Sequence, residues 1–473
     1  MPFTKLHDRM MQDFIPADRD TARSLADQAA LFPFYNVTDP DYGADPTGAS
    51  DSAAAIQAAW DKAFVAGGTV YFPPGKFKVA SKVHCDVRGV TGAPSSNRRR
   101  VNFLGAGKGN TVIAAATDSQ IAIHVQGDNP LTSGSHAYIT ISGLAFVGDT
   151  PTSRTATGLK LEDLAYLTVS ETTFHNLNVD LHLVGVLSSK FDGLIFNESV
   201  KGVLAEAGAS GPHANSWHGC KFRQLTSIGY HGFTTMSNGT FVGCNWEGCG
   251  THGDSAKGAV NMTMSGSAGE AGPVFIGCYF EVNKGGWDVQ LSESASARVT
   301  AQFIGCNFNR TSSTAFATNN IKTAGDIDLC LMGNAFTSHN TYVPDAGRPY
   351  LNLGATTRYR DLGNRFEDAT EGPTISQGLP WAGWVEGSLG ASVTGTLPNN
   401  WSVSQSATGV FTVTHNLGHT DYALVATTDS ASARVVERTV IQTNSFLVKI
   451  TSTANAATDD DFSFMLMELK PIN

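Results

Sequence analysis

Glu247 and Glu281 each follow a large aromatic, Trp246 and Phe280, and hold the same place in two successive repeats of the chain. Two carboxyl groups about 5 to 5.5 Å apart are the machinery of a retaining glycosidase, one as acid and the other as nucleophile. Neighbouring parallel strands lie ~4.8 Å apart, so consecutive coils would bring the two groups to that spacing. Like charges so close favour one carboxyl keeping its proton, as a general acid must. The same place holds Arg223 one repeat earlier and Asn309 one repeat later, while Asn245 and Tyr279 stand two residues before each Glu. An aromatic ring offers a face to the C–H side of a sugar, and amides, guanidinium and carboxylates bind its hydroxyls. Arg223, Asn245, Tyr279 and Asn309 are therefore the expected substrate-binding residues. Trp287-Asp288, after Gly285-Gly286, forms a second candidate, an aromatic platform beside a carboxylate. It also reads as a turn followed by an inward Trp. The column as a whole also reads as the solvated polar face that any solenoid presents.

What must position these groups is a repeat. Phe146, Phe174, Phe196, Phe222, Trp246, Phe280, Phe308, Phe336 and Phe366 are separated by 28, 22, 26, 24, 34, 28, 28 and 30 residues. Gly stands three positions before eight of the nine, with Glu171 the exception, and five positions before them stand mostly large apolar residues such as Phe191, Trp217, Phe275 and Phe303. Such a period with β-rich segments marks a solenoid, and no 3.6-residue apolar spacing supports helices. Residues five apart cannot both face inward along an unbroken strand. A Gly bend between them resolves the conflict. In Phe275-Ile276-Gly277-Cys278-Tyr279-Phe280-Glu281, Cys278 and Phe280 then point in, and Tyr279 and Glu281 point out. One coil of a parallel β-helix per repeat is expected, with a flat polar face suited to extended polymers such as polysaccharides. The 34-residue step reads as a long loop, Gly248 to Pro273, that would wall a groove and bring Asp254 or Glu270 near the pair.

The net charge of −10 argues against nucleic acid and anionic membrane as partners. Arg98-Arg99-Arg100 is an isolated basic cluster at a solvated edge. No stretch is long and apolar enough to span a bilayer, and the N-terminus lacks the apolar core of a signal peptide. Of seven Cys, Cys220, Cys244, Cys278 and Cys306 share one inward position in successive repeats. Parallel Cβ vectors make poor disulfides, and no Cys-x-x-Cys spacing suggests zinc. A buried column of free thiols is expected, in keeping with synthesis in a reducing cytoplasm. The thirteen His show no HxH or HExxH arrangement, so neither a metal site nor a cofactor is expected. His415, His419 and Asp421 read as a turn between strands.

Residues 1–36 differ from the repeats and read as an arm outside the solenoid. A turn at Gly43–Gly48, a cap at Ser50 or Asp51 and a helix to about Val65 follow. The repeats occupy 37–379. From 380 to 473 about five alternating strands, among them 409–415 and 445–450, read as a C-terminal β-sandwich that serves trimerisation or carbohydrate binding.

The run Gly43-Ala44-Asp45-Pro46-Thr47-Gly48, then Ala54-Ala55-Ile56-Gln57, then Gly67-Gly68-Thr69-Val70-Tyr71-Phe72-Pro73-Pro74-Gly75 resembles the entry module of the pectate-lyase-like superfamily, a module shared by bacteriophage tailspikes and depolymerases. Phe103 to Ile113 is similar to the family's next element. The likeness is close over 37–115 and extends in pattern to about 370. It implies an all-β protein, a right-handed parallel β-helix solenoid with a short N-terminal capping helix. It also implies a homotrimer that binds and cuts bacterial surface polysaccharide, joined to a phage tail or baseplate protein through the N-terminal arm and so located in the virion. The fold hosts lyases, hydrolases, epimerases and plain binders. The Asp-Pro-His signature of β-helix epimerases and the clustered Asp pairs of polygalacturonases are missing here. Hydrolysis by the Glu pair is the expected chemistry, with a lyase or a non-enzymatic receptor-binding protein as the competing readings.

Overall fold

The computed structural model describes residues 33–468 except 89–100, 117–119, 129–137, 150–153, 209–210, 234–238, 253, 265–270, 294–297, 311–318, 339–349, 355, 367–374, 377–380, 387–393, 397–401, 416–421, 429–433, 443 and 453–461. The chain folds as an all-β, right-handed parallel β-helix followed by antiparallel sheets. Three parallel sheets of 12, 11 and 11 strands form its walls. Each coil contributes one strand to the first sheet, one to the second after a tight bend, and one to the third.

The second sheet holds the aromatic ladder. Phe146, Phe174, Phe196, Phe222, Trp246, Phe280, Phe308 and Phe336 pair in one register from coil to coil, and Phe366 continues it. The rings stack, with planes 5° apart between Trp246 and Phe280 and 4° between Phe280 and Phe308. Phe191, Trp217, Phe241, Phe275 and Phe303 form a second stack in the first sheet.

The bend between the two ladders is left-handed in every coil. Gly277 and Gly305 have φ of 58° and 62°, and Glu171, at the position that lacks Gly, takes 45°. A Cβ on Gly277 would meet nothing within 4 Å, so the backbone angle and not space selects Gly there.

From Cys220 onward the side chain after each bend is a donor to the preceding coil. The thiols of Cys220 and Cys278 reach the carbonyls of Phe191 and Phe241 at 3.6 and 3.4 Å. Asn334 and Asn364 take over the position and donate Nδ2 to the carbonyls of Phe303 and Leu331. The thiol column is thus part of a hydrogen-bonded corner and not only small apolar filling. All seven Cys are free thiols.

The N-terminal end is covered by helix α1, Ala53–Ala66. It buries Ile56, Ala59, Trp60 and Ala63, and Trp60 stacks on Phe103 at 5.1 Å. Ser52 is the N-cap residue. Asp51 stands just before it, its carboxylate accepting from Ala53 and Ala80 amides and so tying the helix start to the solenoid. Of the expected arm, residues 1–32 lie outside the described residues. Phe34–Asn36 is not arm at all; it pairs with Gly68–Phe72 as the end strand of the first sheet. The C-terminal part forms two antiparallel four-stranded sheets. In one of them Phe411, Val413, Phe446, Val448 and Ile450 are buried, and His415 is buried with its ring over Phe446 at 6.0 Å. His419 and Asp421 lie outside the described residues.

Candidate functional site

Short strands of the second sheet, Lys221–Arg223, Asn245–Glu247, Tyr279–Glu281 and Asn307–Arg310, carry the site. In each the central aromatic points inward, so the flanking residues point out. A second left-handed residue closes the strand on the far side, at Gln224, Gly248 and Val282. The strand is therefore too short for its phase to slip. The outward residues fall into two registered rows, Arg223–Glu247–Glu281–Asn309 and Lys221–Asn245–Tyr279–Asn307.

Glu247 and Glu281 are direct cross-strand partners. Arg223 donates Nε to Glu247 Oε2 at 3.0 Å and Nη2 to Oε1 at 3.4 Å. A two-point guanidinium grip is directional and charge-assisted. It supplies a countercharge that the sequence expectation lacked. Glu281 has no ion-pair partner among the described residues. Beside it the Tyr279 hydroxyl accepts Asn309 Nδ2 at 3.0 Å. Burial holds the Tyr279 hydroxyl above its usual range, the Asn309 bond opposes this, and Glu281 and Glu247 reinforce it. Tyr279 thus stays a neutral donor next to Glu281. Asn245 leaves a buried Oδ1 without a partner, directly across from Tyr279 in register.

Trp287 and Asp288 do not join this group. Each is 3% exposed, at the start of the third-sheet strand Trp287–Glu293. Asn283 donates to one Asp288 oxygen at 2.9 Å and Asn320 donates to the other. Lys322 lies over the Trp287 ring. The pair ties its own coil to the next and offers no platform to solvent. The step from Trp246 to Phe280 is likewise no single loop, because it contains the third-sheet strand Gly258–Met264. Asp254 pairs with Lys257 at 3.1 Å, and Glu270 lies outside the described residues.

The sequence reading passed over a column on the outward side of the third sheet, His84, His124, Lys160 and His182. Its trace in sequence is a His or Lys two positions before Gln126, Glu162 or Val184 and their equivalents, once per coil. Among the described residues no three His, Cys, Asp or Glu side chains cluster as a cation site requires.

Residues 34–251 match the family described as rhamnogalacturonase A/epimerase, pectate lyase-like. The matched segment takes in helix α1 and the coils up to Glu247, a little under half of the chain. Among curated proteins, mannuronan C5-epimerase AlgE6 of Azotobacter vinelandii is 45% identical over 84 residues, 17% of this chain. The match spans only 8% of that epimerase's length. Among solved structures, the Dettilon tailspike protein gp208 aligns over 98% of this chain and 99% of its own, with a TM-score of 0.51 and 10% identity. ORF18 of Geobacillus virus E2 aligns over 96% and 83%, with a TM-score of 0.49 and 15% identity. The tailspike alignment shows that the parallel β-helix and the sheets after it follow a shared fold along the chain.

Proposed function

We propose that this chain is a bacteriophage tailspike that binds a bacterial surface polysaccharide, whether capsule, exopolysaccharide or O-antigen, and cleaves it by glycosidic hydrolysis at Glu247 and Glu281. The registered pairing of these two residues on an open face carries the reading, because strand spacing of ~4.8 Å matches the carboxyl separation of retaining enzymes, about 5 to 5.5 Å. Their surroundings divide the roles. Glu247, gripped by Arg223, is the carboxylate that attacks or stabilises the anomeric carbon. Glu281, free of a cation and beside the Tyr279 hydroxyl, is the proton donor to the leaving oxygen. Asn245, Tyr279 and Asn309 hold sugar hydroxyls across neighbouring coils. The likeness to the Dettilon tailspike along the chain supports the tailspike reading, and the mannuronan epimerase among the relatives supports a polysaccharide as substrate.

One observation favours a binder that does not cut. Arg223 occupies both oxygens of Glu247, so the nucleophile must leave a two-point ion pair to react.

The assembly we propose is a homotrimer carried on the phage tail through the residues ahead of the end strand Phe34–Asn36. Its support is an apolar stripe on the outward side of the first sheet, where Val242, Ile276, Ile304, Met332 and Leu362 stand in register. Ile276, Met332 and Leu362 are 38, 41 and 53% exposed in one chain. Exposed apolar ribbons of this kind mark an interface.

Incubation with polysaccharide purified from the host strain tests the activity. Hydrolysis yields new reducing ends without the ultraviolet absorbance of an unsaturated uronate. Appearance of that absorbance assigns a lyase, and binding without either product assigns the adhesin.

A further inference from the structure

The outward side of the third sheet repeats one device three times. His84 Nε2 meets Gln126 at 3.0 Å, His124 Nε2 meets Glu162 at 2.8 Å, and His182 Nε2 meets Glu206 at 2.7 Å. In each case an imidazole reaches across to the next coil, to the residue two positions on from its own register partner. Lys160, in the same column, reaches Glu162 within its own strand at 2.6 Å. The acceptor row runs Gln126, Glu162, Val184, Glu206 in register.

Burial holds His124 neutral, with its pKa drawn down to about 4, and also lowers that of His182. Burial raises the Glu162 carboxyl, but Lys160 and His124 outweigh it, and the net is a carboxylate below its usual range. Nε2–H of each imidazole therefore donates, and the carboxylates face outward as fixed acceptors with lone pairs to spare. Solvated surface charges need no such backing, and holding two histidines and a lysine behind two carboxylates costs burial of polar groups. His124 and His231 are 6 and 9% exposed, and each leaves its Nδ1 without a partner. Next to Glu206, in the following coil, Phe233 is 38% exposed and lies 3.9 Å from the His231 ring.

We propose that this face is a second saccharide site, distinct from the Glu247–Glu281 face, which takes an uncharged, hydroxyl-rich stretch of polysaccharide between Glu162 and Glu206. Two strand steps set the carboxylates roughly 9.6 Å apart, with the apolar Val184 as floor between them. Sugar hydroxyls donate to the two carboxylates, and the Phe233 ring meets the C–H face of the neighbouring sugar. Lys160 offsets the charge of Glu162, but Glu206 has no Lys or Arg partner among the described residues, and its charge disfavours uronates and favours a neutral stretch. The proposal rests on the reading of this chain as a polysaccharide binder.

Affinity electrophoresis of the full chain through gels containing dextran, yeast mannan, α-1,3-glucan or alginate tests it. The expected result is retardation by at least one neutral polymer, lost in Glu162→Gln, Glu206→Gln and Phe233→Ala and kept in Asp192→Asn, a charge change on the first sheet. Thermal melts confirm that each variant is folded, and Phe233→Tyr, which keeps the ring, should restore retardation. Retardation of all three third-sheet variants equal to wild type overturns the second site and leaves the polysaccharide reading standing. So does retardation by alginate alone, which contradicts the neutral ligand. No retardation of the wild type by any of the four polymers overturns the polysaccharide reading and this proposal with it.

Discussion

Phe280→Ala removes a ring held between Trp246 and Phe308, at centroid distances of 4.8 and 4.7 Å and nearly parallel to both. The ring is fully buried and also lies edge-on to Phe275 at 6.2 Å. Truncating a buried Phe costs about 3–5 kcal/mol, more where the surroundings cannot collapse. Here they cannot, because strand hydrogen bonds fix the distance between coils at ~4.8 Å. Two stacked pairs are lost as well, each worth about 0.5–1.5 kcal/mol beyond area. The expected cost is therefore at the upper end, about 5 kcal/mol. A solenoid couples mainly neighbour to neighbour, so the loss should first expose the amides of 245–247, 279–281 and 307–310 to hydrogen exchange, ahead of the C-terminal sheets. Glu281→Gln, one residue along and outward, should cost less than about 0.5 kcal/mol. Guanidinium unfolding followed by circular dichroism measures both. Equal destabilisation by the two variants would refute the inward–outward phase on which the site is built.

Three further outcomes follow from the same geometry. Gly277→Ala should cost about 1–2 kcal/mol, the left-handed backbone penalty alone. Gly105→Ala, whose Cβ would sit 2.1 Å from the Gly143 carbonyl oxygen, should cost distinctly more in the same denaturation assay. Acid should weaken the fold in a defined window. His124 and His231 are held near pKa 4 by burial against an unfolded value of 6.5, so between those values the unfolded chain binds more protons, and stability falls as pH falls from about 6.5 to about 4. Melting temperatures of a His124→Gln, His231→Gln double variant should vary less with pH there than those of wild type. Met332→Glu, in the exposed apolar stripe, should convert a trimer to monomers in light scattering without shifting the melt of the isolated coil, and a wild-type monomer would contradict the proposed assembly.

The ladder was legible because one bulky side chain per coil is needed at one place, and the left-handed bend beside it admits little but Gly. Glu171 shows that the angle, not the residue, is the constant. The corner donors were less legible. A thiol and an amide look unrelated in sequence, yet Cys306 and Asn334 perform the same bond one coil apart. The third strand of each coil escaped notice because its inward residues, such as Val260 and Met262, are aliphatic and carry no fixed-offset marker. That omission turned a complete strand into an apparent loop and hid the His column. Trp287-Asp288 was misplaced for a related reason, since Asn320 and Lys322 approach it only through coil stacking. The row Arg223–Glu247–Glu281–Asn309 was readable from register, but the choice of Arg223 for Glu247 over a substrate depends on side-chain direction, which spacing does not encode.

The central claim is that the Glu247–Glu281 face cleaves a glycosidic bond. Cleavage and binding should be measured side by side for wild type, Glu247→Gln and Glu281→Gln on host-strain polysaccharide. The account predicts that each variant keeps binding, because the polymer spans several coils, and loses release of reducing ends by orders of magnitude. Release at the wild-type rate by both variants would contradict it.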